Sequence, residues 1–395
     1  MSTNGPERAM QNAEKSPSAL PGPPDYGKYS MRLTGFAGLN MHEVYHWSCE
    51  PALRSHVGPR GMYKACLARL ADGALLACPC TEERRGGRYI MNVFRSRDEG
   101  ATWEHVETGG DELLGKEPAL VTLRDSGLLL LTSHPHGFRI SRSDDGGVNW
   151  RTRALDGTLS DTLNWDRNGY RTTRSVLEEP DGGLLMILSK GVFFAEDAPQ
   201  SQAWLFRSID GGMTWERQCE ISVWDRSEPM FEEASVVRLS EGRLLAASRT
   251  SGHYPVAGMA PADFPTEGSQ ESANHMMTME STDGGQSWSE PRGMLRRGQV
   301  HAHLLLLQDR RILCTYATYH LPFGIFAVLS TDDGQSWDTC HPIQLGIGWD
   351  YYVGWPTSVQ LGGGDILTIY GVRAYRESDY HMRDQVVQTV RWKLP

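Results

Sequence analysis

The chain has 395 residues, 39 Lys and Arg against 49 Asp and Glu for a formal net charge of −10, and is rich in Gly (42) and Trp (12). At roughly 100–200 residues per domain, this length allows two or three domains or one large repeat-built domain. The acidic balance, with no basic stretch, argues against nucleic acid or an anionic membrane as main partner, and no apolar run approaches the ~18–20 residues of a membrane span.

Residues 1–29 are rich in Ser, Pro, Gly, Asn and Glu and contain no apolar segment, so they read as a disordered leader and not as a secretory signal. Seven cysteines (Cys49, Cys66, Cys78, Cys80, Cys219, Cys314 and Cys340) lack the spacing of a disulfide framework. Cys78 and Cys80 are too close for an easy mutual bridge and read as strand-end thiols. A reduced, cytoplasmic protein is expected.

From Ala65 onward, one pattern recurs in chain order: a short apolar run, an acidic or Gly turn, and a second apolar run. The copies are Ala65–Leu76 about Asp72-Gly73, Ala119–Leu131 about Asp125, and Ser175–Leu188 about Asp181-Gly182. The others are Ser235–Ala247 about Glu241-Gly242, His303–Tyr316 about Asp309, and Ser358–Tyr370 about Gly363. Each reads as a β-hairpin. Successive turns at 72, 125, 181, 241, 309 and 363 are 53, 56, 60, 68 and 54 residues apart, room for four short strands. The fold class is therefore all-β, a six-bladed β-propeller of four-stranded antiparallel blades, filling residues 30–395 as a single domain. After Tyr370 only Gln385–Leu394 offers a further strand, so closure by pairing N- and C-terminal strands is expected, with the missing strand near His42–Trp47.

A second motif, Ser-x-Asp-x-Gly-x-x-Trp, occurs five times: Ser96–Trp103, Ser143–Trp150, Ser208–Trp215, Ser281–Trp288 and Ser330–Trp337. The Asp accepts turn amides, the Gly supplies a positive φ, and the Trp packs the turn on the sheet. Five of these octapeptides in a six-fold hairpin repeat resemble the Asp boxes (BNR repeats) of the sialidase, or neuraminidase, superfamily. The resemblance covers about Met41 to the C-terminus and implies a six-bladed propeller.

The first strand of each blade lines the channel, so the six turns serve as a common ruler. Eight positions before them stand Lys64, Glu117, Thr173, Glu233, His301 and Trp355; two further in are Cys66, Ala119, Ser175, Ser235, His303 and Thr357. Two further out, blade 3 contributes Arg171. This ring is the expected pocket floor, with a solvated polar channel as the plainer alternative. Glu117 and Glu233 are acid/base candidates. His301 and His303 are base candidates, or two ligands of a metal for which no third appears, so no metal and no cofactor are expected.

In the family, a Glu at the Glu233 position polarises the nucleophile, and an Arg at the Arg249 position belongs to a triad gripping the substrate carboxylate; a simple Glu233–Arg249 cross-strand pair is the alternative. The family's first Arg falls at Lys64, and its third has possible stand-ins in Arg171 or Arg174. Its Tyr nucleophile falls at Trp355, with Tyr351 and Tyr352 just upstream. Its acid is expected near Thr81–Arg88, where Glu82 and Glu83 stand. Tyr351, Tyr352 and Trp355 offer stacking surfaces for a sugar. The span Thr250–Asn274 reads as a lid over the channel mouth or as a plain surface loop.

The resemblance implies an exo-glycosidase with a carbohydrate substrate, an anionic sugar such as sialic acid or a related 2-keto-3-deoxy acid. Tyr352 assisted by Glu233 would attack the anomeric carbon, with Glu82 or Glu83 protonating the leaving group. The alternatives are a lyase using His301 or His303, and a non-catalytic glycan- or protein-binding propeller.

Overall fold

The computed structural model describes residues 29–31, 45–47, 51–83, 88–134, 137–154, 168–171, 173–192, 202–222, 230–251, 274–348, 350, 352–373 and 381–394. Residues 1–28 of the expected leader and 252–273 of the expected lid lie outside the described residues. The chain divides into two units, Met1–Pro51 and Ala52–Pro395. The first contains a two-stranded antiparallel sheet, Tyr29–Met31 with Tyr45–Trp47.

The second unit is a six-bladed propeller in which each sheet is built on four antiparallel strands. The inner hairpins pair as the sequence pattern requires. Their tight turns share one device: Asp72, Asp125, Asp181 and Asp309 each accept the amide two residues on. The intervening residue takes a positive φ, 85° at Gly73 and 83° at Gly182, but 68° at Ser126 and 75° at Arg310. Second strands such as Leu128–His134 are continuous apolar runs because blades cover both their faces; Leu128 to Leu131 have no exposed surface.

The core lies between blades. Leu129, Leu131 and Phe138 of blade 2 meet Leu184, Met186 and Phe206 of blade 3. Equivalent clusters join each further pair, ending with Met62, Ala65 and Leu67 of blade 1 against Leu367, Ile369 and Val387 of blade 6. At about 1.5–3 kcal/mol for each fully buried large aliphatic side chain, these interfaces carry most of the stability.

The octapeptides are wedges between blades. In the second, the Ser143 hydroxyl donates to Asp145 (2.8 Å) and accepts the Gly147 amide (2.9 Å). Asp145 accepts the Asn149 amide at 2.8 Å, and Trp150 Nε1 donates to the Gly147 carbonyl at 2.9 Å. The Gly is indispensable on two counts. Gly100, Gly147, Gly212, Gly285 and Gly334 have φ between 83° and 95°. A Cβ there would come within 2.4–2.8 Å of Leu367, Leu76, Leu129, Leu205 and Leu245, in every case a leucine of the preceding blade.

The ring closes as expected by pairing strands from opposite ends of the propeller, but the strand expected at His42–Trp47 is corrected. Tyr45–Trp47 pairs with Tyr29–Met31, and Leu53–His56 completes blade 6 against Gln385–Trp392. The closing strand is peripheral and largely exposed. Its polar side chains hold it: Ser55 Oγ contacts Thr389 Oγ1 and the Gly100 carbonyl at 2.6 Å each, and Arg54 donates to the Tyr370 hydroxyl at 2.9 Å.

Gly212→Ala combines left-handed strain with a clash on Leu129 and is expected to cost about 2–4 kcal/mol in urea denaturation. Ser126→Gly, at an exposed left-handed turn position, is expected to add about 0.5–1 kcal/mol.

The octapeptide aspartates also predict acid sensitivity. The Ser287 hydroxyl, then the Ser287 amide and the Ser281 hydroxyl, hold Asp283 down at about 2. At Asp145 burial pushes the other way, but bonds from Asn149, Ser143 and Val148 win, again to about 2. Both groups lie below the ordinary 3.8, so their stabilisation is present above about pH 4 and lost as pH falls toward 2. Tm is expected to drop across that window, with a smaller drop in Asp283→Asn.

Candidate active site

The site begins with a backbone irregularity. The inner strands of blades 1, 2, 4, 5 and 6 are Met62–Arg69, Lys116–Thr122, Met230–Ser240, Gln299–Leu306 and Val353–Gln360. Each has a register shift near its start, where two residues oppose one. The first residue of each bulge has left-handed φ: Lys64 46°, Glu117 56°, Glu233 55°, His301 60° and Trp355 54°. These are five of the six residues picked out by the turn ruler. Ala65, Pro118, Ala234, Ala302 and Pro356 follow them, small or N–H-free residues that suit a bulge. In blade 3 the inner strand is interrupted between Arg171 and Val176, and Arg174 takes the place of the Ala or Pro.

The bulges aim their side chains into one chain of contacts around the channel. Lys64 Nζ pairs with Glu117 Oε1 at 2.6 Å and sits 3.8 Å over the Trp355 ring. Trp355 also stacks on His301, ring centroids 4.0 Å apart. His301 Nε2 lies 3.3 Å from Glu233 Oε2, an electrostatic approach lying off the line of the ring N–H. Glu233 Oε2 accepts Arg249 Nε at 2.9 Å, and Arg249 NH2 forms an ion pair with Glu232 Oε2 at 2.8 Å. Tyr319 closes the arc, its hydroxyl 3.4 Å from His301 Nδ1. Glu117, Glu232, Glu233, Arg249 and His301 are all at most 2% exposed, so the floor is a buried ionic network and not a solvated channel.

Arg174 reaches across from blade 3 and donates to the Pro356 carbonyl of blade 6 at 2.7 Å. Burial lowers it to about 10, against the opposing pull of Glu233, Cys66 and Glu117, so it remains a cation at neutral pH. His303 lies in the next layer, where burial and then Arg174 hold it down at about 3. It is neutral, and its Nδ1 accepts the Ser358 amide at 3.4 Å.

The other sequence candidates stand at the same end of the propeller, where inner strands begin and second strands finish. Tyr352 precedes the blade-6 inner strand; its amide bonds Asp350 at 2.9 Å and its ring lies 5.7 Å from the Arg373 guanidinium. Glu82 ends the blade-1 second strand and hydrogen-bonds Tyr89, which burial and then Glu82 push up to about 12. Glu83 is half exposed and pairs with Arg88 at 3.0 Å. Tyr351 and the Arg171 side chain lie outside the described residues. The Trp355 indole is engaged by Lys64 and His301. Sequence reasoning overlooked Glu232 and Tyr319. The first is signalled by the Glu-Glu pair opposite Arg249, the second by an aromatic closing the blade-5 hairpin. Among the described residues no group of three or more His, Cys, Asp or Glu is arranged to hold a metal ion.

A family model described as a BNR repeat-like domain matches residues 264–363. No curated protein matches the chain. A Dyadobacter fermentans protein of unknown function is similar in structure at 18% identity and TM-score 0.65, covering 87% of this chain and 98% of that one. The Hadza microbial sialidase Hz136 follows at 16% identity and TM-score 0.55 (84% and 66% covered). The Penicillium chrysogenum α-L-arabinanase, complexed with arabinobiose, is similar at 13% identity and TM-score 0.59 (86% and 94% covered). The six-bladed propeller of this chain is thus a sialidase-like fold, similar to those of the Hz136 sialidase and the arabinanase.

Arg249→Met leaves Glu232 and Glu233 buried without their shared cation. It is expected to lower stability by about 3–5 kcal/mol in chemical denaturation, whereas Lys64→Met, at a more accessible pair, costs less.

Proposed function

We propose that this chain is a glycosidase that takes a terminal sugar into the ring-lined end of the channel. The observation that carries the reading is the left-handed bulge repeated at one register in five blades. A non-glycine residue in that conformation costs about 1–2 kcal/mol, and packing alone gains nothing from five of them. What they supply is convergence: carboxylates from blades 2 and 4, an imidazole from blade 5 and an ammonium from blade 1.

Glycoside hydrolysis needs one group to protonate the leaving oxygen and a carboxylate to act as nucleophile or base. Glu117, against the Lys64 ammonium, suits the carboxylate role. Glu233, against His301, suits the proton-transfer role, since imidazole exchanges protons near neutral pH. Tyr352 with Glu82 or Glu83 at the rim is the competing assignment, in which Tyr352 attacks and a rim glutamate is the acid.

The charges of the floor bear on the sugar. Lys64 is matched by Glu117, and Arg249 by Glu232 and Glu233; with Arg174 the three cations balance three carboxylates. This balance supports an uncharged sugar. A second reading, an acidic sugar of the sialic acid class, is favoured by the Nε of buried Arg174, which has no hydrogen-bond partner among the described residues.

The test is a panel of 4-methylumbelliferyl glycosides, including the α-L-arabinofuranoside and the sialoside, assayed from pH 4 to 8. Fluorophore release from an uncharged member is expected, falling about 10²-fold or more in Glu233→Gln. Release from the sialoside, with KM raised in Arg174→Met, would establish the second reading. No release from any member would overturn the enzyme assignment.

A further inference from the structure

We propose that Tyr319 is a positioning residue that enables His301 to hold a proton inside the buried ring. The inference deepens the proposed function, and it rests on that reading only for its catalytic consequence. His301 has no exposed surface and Tyr319 is 6% exposed, so neither ring nitrogen has bulk water to fall back on. An imidazolium has two N–H donors and needs two acceptors. Nε2 faces Glu233 Oε2 at 3.3 Å and Nδ1 faces the Tyr319 hydroxyl at 3.4 Å. The phenol ring meets the imidazole edge-on, centroids 5.5 Å apart and planes at 76°, which leaves its oxygen on the Nδ1 side.

A hydroxyl serves both states of the histidine. When His301 is neutral with its hydrogen on Nε2, bare Nδ1 accepts from the phenol. When His301 is protonated, Nδ1–H donates and the phenol oxygen accepts. The second bond is charge-assisted and the stronger of the two, so the hydroxyl favours the protonated form.

The surrounding charges act chiefly on the protonated state, and they are the same with and without the Tyr319 hydroxyl. Glu233 faces His301 from blade 4, with Arg249 and Glu232 behind it. Lys64 stands over the Trp355 indole, paired to Glu117, and Arg174 interacts with Glu233 and Glu117 from blade 3. Gly354 completes the arrangement: a Cβ there would lie 2.6 Å from His301 Nδ1, so any other residue would push the imidazole off this position.

The experiment is an NMR titration of the His301 ring protons, assigned by their absence in His301→Gln, in the wild type and in Tyr319→Phe. Phe keeps the edge-on packing and removes only the hydroxyl. The His301 midpoint is expected to fall by about one pH unit. Gly354→Ala, which leaves the hydroxyl in place but displaces the imidazole, is expected to move it the same way. A His301 midpoint unchanged in Tyr319→Phe would overturn the inference. In an active protein, the acid limb of the kcat/KM profile is expected to move by the same amount. If the titration shifts and no glycoside is turned over, the positioning role stands and the glycosidase reading fails.

Discussion

A propeller stands on the fit between each blade and the next, and in this chain the fit is set by a glycine pressed against a leucine. Five blades carry the octapeptide, and its Gly meets an aliphatic side chain of the preceding blade with no room for even a methyl group. The Ser and Asp of the same octapeptide satisfy the turn amides, so the wedge holds its shape without help from solvent. Because the contact repeats, the inner strands of blades 1, 2, 4, 5 and 6 arrive at the axis in one common register. The channel-lining ring follows from that register.

The ring is costly to build. Left-handed residues, three carboxylates and three cations are gathered where little water reaches. Buried ion pairs seldom add net stability, because desolvation offsets their attraction. The network is tolerable only because each charge has an opposite neighbour and the rigid blades leave the pairs no freedom to part. Stability is supplied between the blades and spent at the axis. Such a division is expected where a scaffold carries a site.

The hairpins, the octapeptides and the register of the ring were legible in the sequence. Each is a local signal, an Asp-Gly turn or a fixed spacing, repeated often enough to be unmistakable. Lys64, Glu117, Glu233, His301 and Trp355 were found by counting back from the turns. Counting could not reveal that they share a left-handed bulge, although the Ala or Pro after each was a visible hint. The Leu53–His56 closing strand was missed because it is short, polar and exposed, and its pairing with Gln385–Trp392 spans more than 300 residues.

The sequence by itself determined the number of blades, the location of the turns and the positions that line the axis. All of these follow from short-range periodicity, the alternation of strands and the conformational needs of glycine and aspartate. Only the tertiary structure decided which ring residues touch. Arg249 divides itself between Glu232 and Glu233, Lys64 turns to Glu117, Trp355 is engaged by Lys64 and His301, and Tyr319 reaches His301. Those pairings depend on how the blades converge and where each bulge rotates its side chain. Charge partners in a buried ring are chosen by distances of a few ångströms in space, and separation along the chain carries no record of them.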